Sequence, residues 1–383
     1  MYHFDKGIER KNTNCEKWDA DFVGENVLPM WVADMDFEIA PAITKRLVKA
    51  AQKGAFGYQL LSDDYYQTFI DFMKERHDYS VEKEWICYVP NVCLGLFLAV
   101  QTISNLGDEI IIQVPVYGPF FKVVEESGRK LVENRLINKN GQYTMDYDDL
   151  EAKITEKTKA LILCNPHNPT GRVWTKDELE KLVNICAKHD ICIISDDIHS
   201  DIISKDHKHT MVTTICQEHG VKCIRCTSPS KPFNLASLHV ANCIIEDKEI
   251  REKFQYLIRA NHVGECNAFA EEALVGAYKE SLDWLDEMNA YVEENIDYFV
   301  KEIEENMPTL KVRKPEGTYL VWVDFTETDV EPEELHEYLQ KECGVLAEEG
   351  EFFGKYGKGY ARFNMACPRG NVEEALRRMK NRF

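Results

Sequence analysis

A doubly wound α/β fold with a mostly parallel sheet, joined to a smaller α+β domain, is predicted by three patterns in this 383-residue chain. Short β-rich apolar runs alternate with helical periodicity through the middle of the sequence, as in chains that wind helices onto both faces of a sheet. The runs are continuous rather than alternating, which marks strands covered on both sides. After about residue 280 the pattern changes to one long amphipathic stretch followed by an alternating segment.

The strands expected are 109–114, 160–164, 191–195, 221–227 and 240–245. Between the second and third, Thr175 and Glu178 form a capping box, and Leu179, Leu182, Val183 and Cys186 make one apolar stripe. A long helix is expected over 281–306. Residues 317–325 alternate like a half-exposed strand, and a helix near 332–343 and a strand around 360–365 follow. The first ~45 residues are too few to fold alone and should pack on this second unit. The expected division is a large domain, 48–283, and a small domain made of 1–47 and 284–383.

Lys and Arg number 46 against 66 Asp and Glu, a net charge of −20, which argues against nucleic acid and anionic lipid as partners. The uncharged run 85–107 has a continuous apolar part only from Val92 to Val100, too short for a bilayer. The segment Met1-Tyr2-His3-Phe4-Asp5-Lys6 has no basic region leading into an apolar one. The expectation is a cytoplasmic protein with no membrane span, whose 13 cysteines are reduced thiols. One CxxC, Cys223 to Cys226, falls in an expected strand, where residues three apart face opposite ways, so a packed strand is expected and not a redox or zinc motif.

In open α/β sheets ligands bind beyond the carboxyl ends of the strands, and three polar clusters follow three consecutive expected strands. Asn165-Pro166-His167-Asn168-Pro169-Thr170-Gly171 is a turn stiff enough to aim an Asn amide, although such a loop also serves as a plain connection. Ser195-Asp196-Asp197-Ile198-His199 puts an acid at a strand end and a histidine three residues on. With His207 and His209 these residues lack metal-ligand spacing, and no metal is expected. Ser228-Pro229-Ser230-Lys231-Pro232-Phe233-Asn234 holds a lysine in an otherwise uncharged turn. Burial there would lower its pKa and make its amine nucleophilic, whereas an exposed loop lysine would do nothing.

Together the three clusters resemble those of the pyridoxal-phosphate (PLP) enzymes of fold type I, the class I/II aminotransferase superfamily. The resemblance is strongest to the C–S lyase branch, the cystathionine β-lyase, cystalysin and MalY/PatB types. Further segments carry it: Pro29 to Phe37 (PMWVADMDF), Phe56-Gly57-Tyr58, Pro115 to Phe121 (PVYGPFF), Asn168 to Trp174 (NPTGRVW) and Glu316-Gly317-Thr318-Tyr319. The resemblance implies a mostly parallel, seven-stranded type of central sheet with helices on both faces. It implies PLP as cofactor, with Lys231 as the lysine that holds it and later removes the substrate Cα proton. Asp196 matches the partner of the pyridine nitrogen, Asn168 and His199 flank the phenolic oxygen, and Tyr117 stacks on the ring. Val92 and Cys93 match the helix start whose amides bind phosphate, with Ser228 and Ser230 nearby. Tyr58 matches a tyrosine that reaches the phosphate of a neighbouring subunit, which implies a homodimer with shared sites. Arg362 matches the arginine that grips the substrate α-carboxylate, Ala33 is a further substrate contact, and Arg369 reads as a structural ion pair.

Some positions depart from the family pattern. Asn91 stands where Gly is usual and is expected to tolerate a left-handed turn. Pro232 follows the lysine, Ser237 replaces a usual Gly, and His239 occupies the place of a basic phosphate ligand. The function implied is β-elimination from L-cystathionine or a related S-substituted cysteine, giving a thiol, pyruvate and ammonia. Tyr117 or Tyr58 is placed to assist the leaving group. An aminotransferase, or a PLP-bearing regulatory protein, could be built from the same residues.

Overall fold

The computed structural model describes residues 2–383. Its central sheet has seven strands: β1 (Ile86–Val89), β2 (Glu109–Val114), β3 (Lys130–Arg135), β4 (Thr158–Cys164), β5 (Cys192–Asp196), β6 (Cys223–Thr227) and β7 (Ala241–Ile245). Their spatial order is β1-β7-β6-β5-β4-β2-β3. Only β7 runs against its neighbours. Strands β2, β5 and β7 are buried at every position, as their continuous apolar runs require when helices cover both faces. The expected strand at 221–227 begins only at Cys223, because Gly220 closes the preceding helix in the left-handed conformation and the chain needs two residues to leave that turn.

Two helices anchor the sheet's functional edge. Helix α1 (Val92–Ile103) follows β1 after two residues, and α2 (Lys176–Lys188) follows β4. The capping box on α2 is formed: Thr175 Oγ1 accepts from Glu178 N at 3.3 Å and a Glu178 carboxylate oxygen accepts from Thr175 N at 2.9 Å. All four residues of its apolar stripe are buried.

The second unit centres on an antiparallel sheet of β8 (Lys311–Val312), β9 (Leu320–Asp324), β10 (Glu348–Glu349) and β11 (Tyr360–Asn364), in the order β8-β9-β11-β10. The expectation of a half-exposed strand is wrong for β9, which is buried at four of its five positions. One face, with Val321, Val323 and Phe363, packs with residues of α3 (Leu282–Asn306) and α4 (Arg369–Met379). The other face turns Trp322 onto Phe353, Tyr360 and the Tyr143 hydroxyl, so the alternation separates two cores rather than core from solvent. The helix expected over 332–343 is shorter, Leu335–Lys341.

The N-terminal segment ties into this unit. Leu28 and Pro29 pair with Val345 and Leu346. The Phe4 ring packs edge-on to Phe37 and Trp284. The helix Pro41–Ala51 crosses residue 47, where the domain boundary was expected. It packs against the helix Ala270–Tyr278, close enough that a Cβ on Gly276 would lie 3.1 Å from Ile43 Cα. The two units are clasped at the Asn-Pro loop. Arg172 Nε donates to Glu316 Oε2 at 2.8 Å, and Gly171 O accepts from the amides of Glu316 and Gly317. Gly171 has φ +69°, and a Cβ there would lie 2.3 Å from Pro315 Cβ, so the clasp requires glycine. All 13 cysteines are free thiols, and Cys223 and Cys226 lie on β6 as part of the packed strand. No helix among the described residues is long and apolar enough to cross a membrane.

Candidate active site

Because β1, β2, β4, β5 and β6 point the same way, their C-terminal ends open onto one place, and the small antiparallel sheet closes it. The result is a cavity of about 380 Å³ lined by residues from the end of each of these strands, from the N-terminal segment and from β10 and β11. It brings together Lys231, Asp196, Asn168, His199, Tyr117, Val92, Cys93, Ser228, Ser230, Ala33 and Arg362, residues spread over more than 300 positions of sequence.

Lys231 Nζ donates to the Ala33 carbonyl at 2.8 Å, and the Tyr319 hydroxyl donates to the same oxygen at 3.1 Å. Burial, with the Arg362 charge adding to it, holds the Lys231 pKa below the usual lysine value. Ala33 thus lines the cavity and positions the lysine through its backbone. Asp196 is 5% exposed and accepts from Ile198 N at 3.1 Å. Burial pushes its carboxyl up to about 7, with the neighbouring Asp197 adding to the rise. A carboxylate this desolvated favours a cationic partner. His199 is held well below its usual pKa by burial and by repulsion from Lys231 and Arg362, so it is neutral. Its Nδ1 is buried without a partner, and its ring meets Tyr319 edge-on.

At the start of α1, Asn91 is extended (φ −155°, ψ 163°) and its Oδ1 accepts from Leu94 N at 2.8 Å. The left-handed turn expected at Asn91 is therefore absent, because the residue works as a helix N-cap. Gly95 N bonds Asn91 O, which leaves the amides of Val92 and Cys93 as first-turn donors with no intrahelical acceptor. Such a helix start suits an anion. Ser228 lines the same wall with its hydroxyl given to Val240 O at 2.6 Å, and it accepts from Ser230 N at 3.0 Å.

Arg362 is 2% exposed. Its Nη1 donates to Asn168 Oδ1 at 3.0 Å, and its Nη2 donates to Trp31 O at 2.9 Å and to Glu348 Oε2 at 3.3 Å. Its Nε is buried and unpartnered, and its guanidinium lies 4.9 Å from the centre of the Phe353 ring. Asn168 is aimed by its loop: its own N bonds Cys164 Sγ, and its carbonyl accepts from Tyr117 N at 3.1 Å. The Tyr117 ring meets Phe352 edge-on, and burial raises the phenol's pKa.

Other expected residues lie elsewhere. Tyr58 is 92% exposed, on a loop with Phe56 at 58% and Leu60 at 92%. His239 is exposed, with φ +49°, and its hydrogen bonds run through its backbone, the carbonyl accepting from the Tyr88 hydroxyl and from Asn267 Nδ2. Arg369, expected in a structural ion pair, forms none among the described residues; its guanidinium lies over the Tyr298 ring at 4.8 Å. His207 is exposed while His209 faces Asp197, so neither joins His199. Glu16, which the sequence did not mark, also lines the cavity, as do Trp31, from the segment 29–37, and Glu348 and Phe352, from the loop 348–354 expected to build part of the pocket, although none of the three was given a role. Glu348 stands directly across from Arg362 in the β10–β11 register, a pairing that spans a loop and leaves no sequence signal.

These groups fit PLP. The amine of Lys231 suits the aldehyde, the desolvated Asp196 the ring nitrogen, the unpartnered His199 Nδ1 an oxygen substituent, and the free α1 amides the phosphate. Comparison with known proteins agrees. Residues 25–379 match the model of the aminotransferase class I and II family. Cystathionine beta-lyase PatB of Bacillus subtilis is 38% identical over 99% of both chains. Among solved structures, cystalysin from Treponema denticola, which contains PLP, superposes with a TM-score of 0.95 at 35% identity, covering 100% of this chain and 98% of the other. A PLP-bound Clostridium difficile protein carrying an aminotransferase designation gives 0.96 at 42% identity, covering 100% and 99%.

Proposed function

Since the chain belongs to the aminotransferase class I and II family, we propose that this cavity is the site of a PLP-dependent C–S β-lyase. The protein takes L-cystathionine or a related S-substituted cysteine and carries out α,β-elimination: R–S–CH2–CH(NH3+)–COO− + H2O → R–SH + pyruvate + NH4+. The observation that carries the reading is one cavity holding a partly buried lysine of depressed pKa, a buried carboxylate and a buried arginine with a free donor, in a chain whose relatives are cystathionine β-lyases and cystalysin.

Lys231 would hold the cofactor covalently and Asp196 its ring nitrogen. Asn168 and His199 would sit beside the phenolic oxygen and Tyr117 against the ring. The Val92 and Cys93 amides, with Ser228, Ser230 and Tyr58 of a second copy, would hold the phosphate. When bound, PLP supplies an electron sink for the charge that develops at the substrate Cα. Arg362 grips the α-carboxylate, using the Nε that has no protein partner. Lys231 Nζ, whose charged form burial and the Arg362 charge disfavour, removes the Cα proton. Tyr117, whose raised pKa keeps it protonated, donates to the departing sulfur. The neutral His199 adds no charge beside the cofactor oxygen.

The exposed loop with Phe56, Tyr58 and Leu60 supports a homodimer with shared sites, since a solvated monomer gains nothing from three exposed large apolar residues there. The 13 free thiols support a reducing, cytoplasmic location.

The family description and the C. difficile designation favour one second reading, an aminotransferase. Product analysis separates the two. Holoenzyme given L-cystathionine and no keto acid is expected to release pyruvate, ammonia and homocysteine in equal amounts. Turnover that needs a keto-acid acceptor and frees no ammonia would overturn the lyase reading in favour of transamination.

A further inference from the structure

We infer that Glu348 selects the leaving group: once substrate is bound, it pairs with a positive charge carried on the thiol half, so the preferred substrates are S-substituted cysteines bearing a cation beyond sulfur. The inference rests on the lyase reading and deepens it.

The register of β10 on β11 fixes Glu348 opposite Arg362, and the two side chains, 15% and 2% exposed, meet at 3.3 Å. Arg362 also serves Asn168 and the Trp31 carbonyl, and its Nε is buried without a partner. A substrate carboxylate that grips the guanidinium along its Nε edge takes Nε and one N–H of Nη2, and both N–H groups of Nη2 are already given, to the Trp31 carbonyl and to Glu348. The Trp31 carbonyl is fixed backbone in the neck of the site, and Asn168 is neutral. Glu348 is the acceptor with a negative charge of its own, and it holds the longest of the three hydrogen bonds. Binding of substrate therefore turns Glu348 away from Arg362.

The displaced carboxylate then finds no free cation among the residues lining the cavity. Lys231 and Arg362 are the only Lys or Arg side chains among the residues lining the cavity, and both are engaged in the loaded site. Burial already raises the Glu348 pKa, against the pull of Arg362, and Glu349 and Glu16 add to the rise. A buried carboxylate beside the substrate's own carboxylate, with no cation, is costly. A cation on the thiol half removes that cost. The walls beside Glu348 suit one, with the rings of Trp31 and Phe352 and the exposed Glu16 at the mouth. L-Cystathionine carries such a group, its distal ammonium, whereas S-alkyl cysteines carry none.

The test uses holoenzyme and two near-isosteric substrates, S-(2-aminoethyl)-L-cysteine and S-propyl-L-cysteine. Pyruvate formation gives the ratio of their kcat/KM values, and taking wild type against variant cancels the difference in thiol acidity. Glu348→Gln is expected to lower the aminoethyl-to-propyl ratio about tenfold or more, the size of one lost charge-assisted contact, while lowering KM for the propyl compound. Glu348→Asp keeps the charge and should keep the preference. Equal changes for both substrates, or a ratio lost as fully in the Asp variant as in the Gln variant, would overturn the inference. Titrating the visible absorbance of the holoenzyme with each compound gives a binding ratio that needs no elimination. An absence of pyruvate from both substrates would thus end the lyase reading while the selectivity is still measured.

Discussion

Asp196 and Lys231 line one cavity with opposite shifts, the acid pushed up and the amine held down, and burial leads both. Each is poorly placed until a group arrives that needs it, and this gives a test without turnover. In cofactor-stripped protein, Asp196 titrates near 7 when folded and near ~4 when unfolded. Between those values the folded state keeps a proton that the unfolded state has lost. Stability from this group is therefore complete below about pH 4 and is lost as pH rises through about 7. Asp196→Asn has no such proton, so it should gain on wild type across that window by on the order of 4 kcal/mol in urea unfolding, and PLP should narrow the gap. A difference flat in pH would contradict the assignment. At this scale much of the site was legible. Lys231, Asp196 and Asn168 were found because each follows an apolar strand in a turn with a distinctive residue pattern. The contacts of Glu348 and Trp31 with Arg362 were not, because they run through a cross-strand register and a backbone carbonyl, and neither shows in linear spacing.

Among the elements, α1 best joins stability to function. Its N-cap, Asn91, satisfies Leu94 N and leaves the Val92 and Cys93 amides toward the cavity. Asn91→Ala should cost about 1 kcal/mol of stability through the lost cap, measured as a fall in the urea midpoint, and should also weaken PLP binding, measured by titration of stripped protein. Unchanged PLP affinity would mean that the helix start is not the phosphate site. The strand pattern explains what was and was not legible among the elements. Strands β2, β4, β5 and β7 announce themselves as apolar runs. Strand β1 has only four residues and runs into an equally uncharged helix, and the edge strand β3, Lys130–Arg135, is largely polar because one side meets solvent. The alternation of β9 was visible but misassigned: period two cannot say whether the second face meets water or the partner domain.

The whole molecule adds what neither residue nor element supplies, the closure of two units over one cavity. Arg172 and Glu316 clasp them, and Tyr319 and Arg362 enter from the second unit. Both clasp residues lay in segments whose sequence pattern was distinctive, but their contact joins positions 144 residues apart and could not be read from either alone. In the proposed homodimer, Tyr58 would extend the closure to a second copy. If sites are shared, mixing inactive Tyr58→Ala and Lys231→Ala proteins after subunit exchange should restore about a quarter of wild-type activity, since half the dimers are hybrids with one intact site. No recovery on mixing would place Tyr58 outside the neighbour's site. The most direct test of the central claim is one assay on purified protein, the visible spectrum followed by addition of L-cystathionine with pyruvate detection, for wild type and for Lys231→Ala. The structure predicts a visible cofactor band and pyruvate in the wild type, and neither in the variant. A wild type with no band after PLP is added, or a variant that still releases pyruvate, would contradict it.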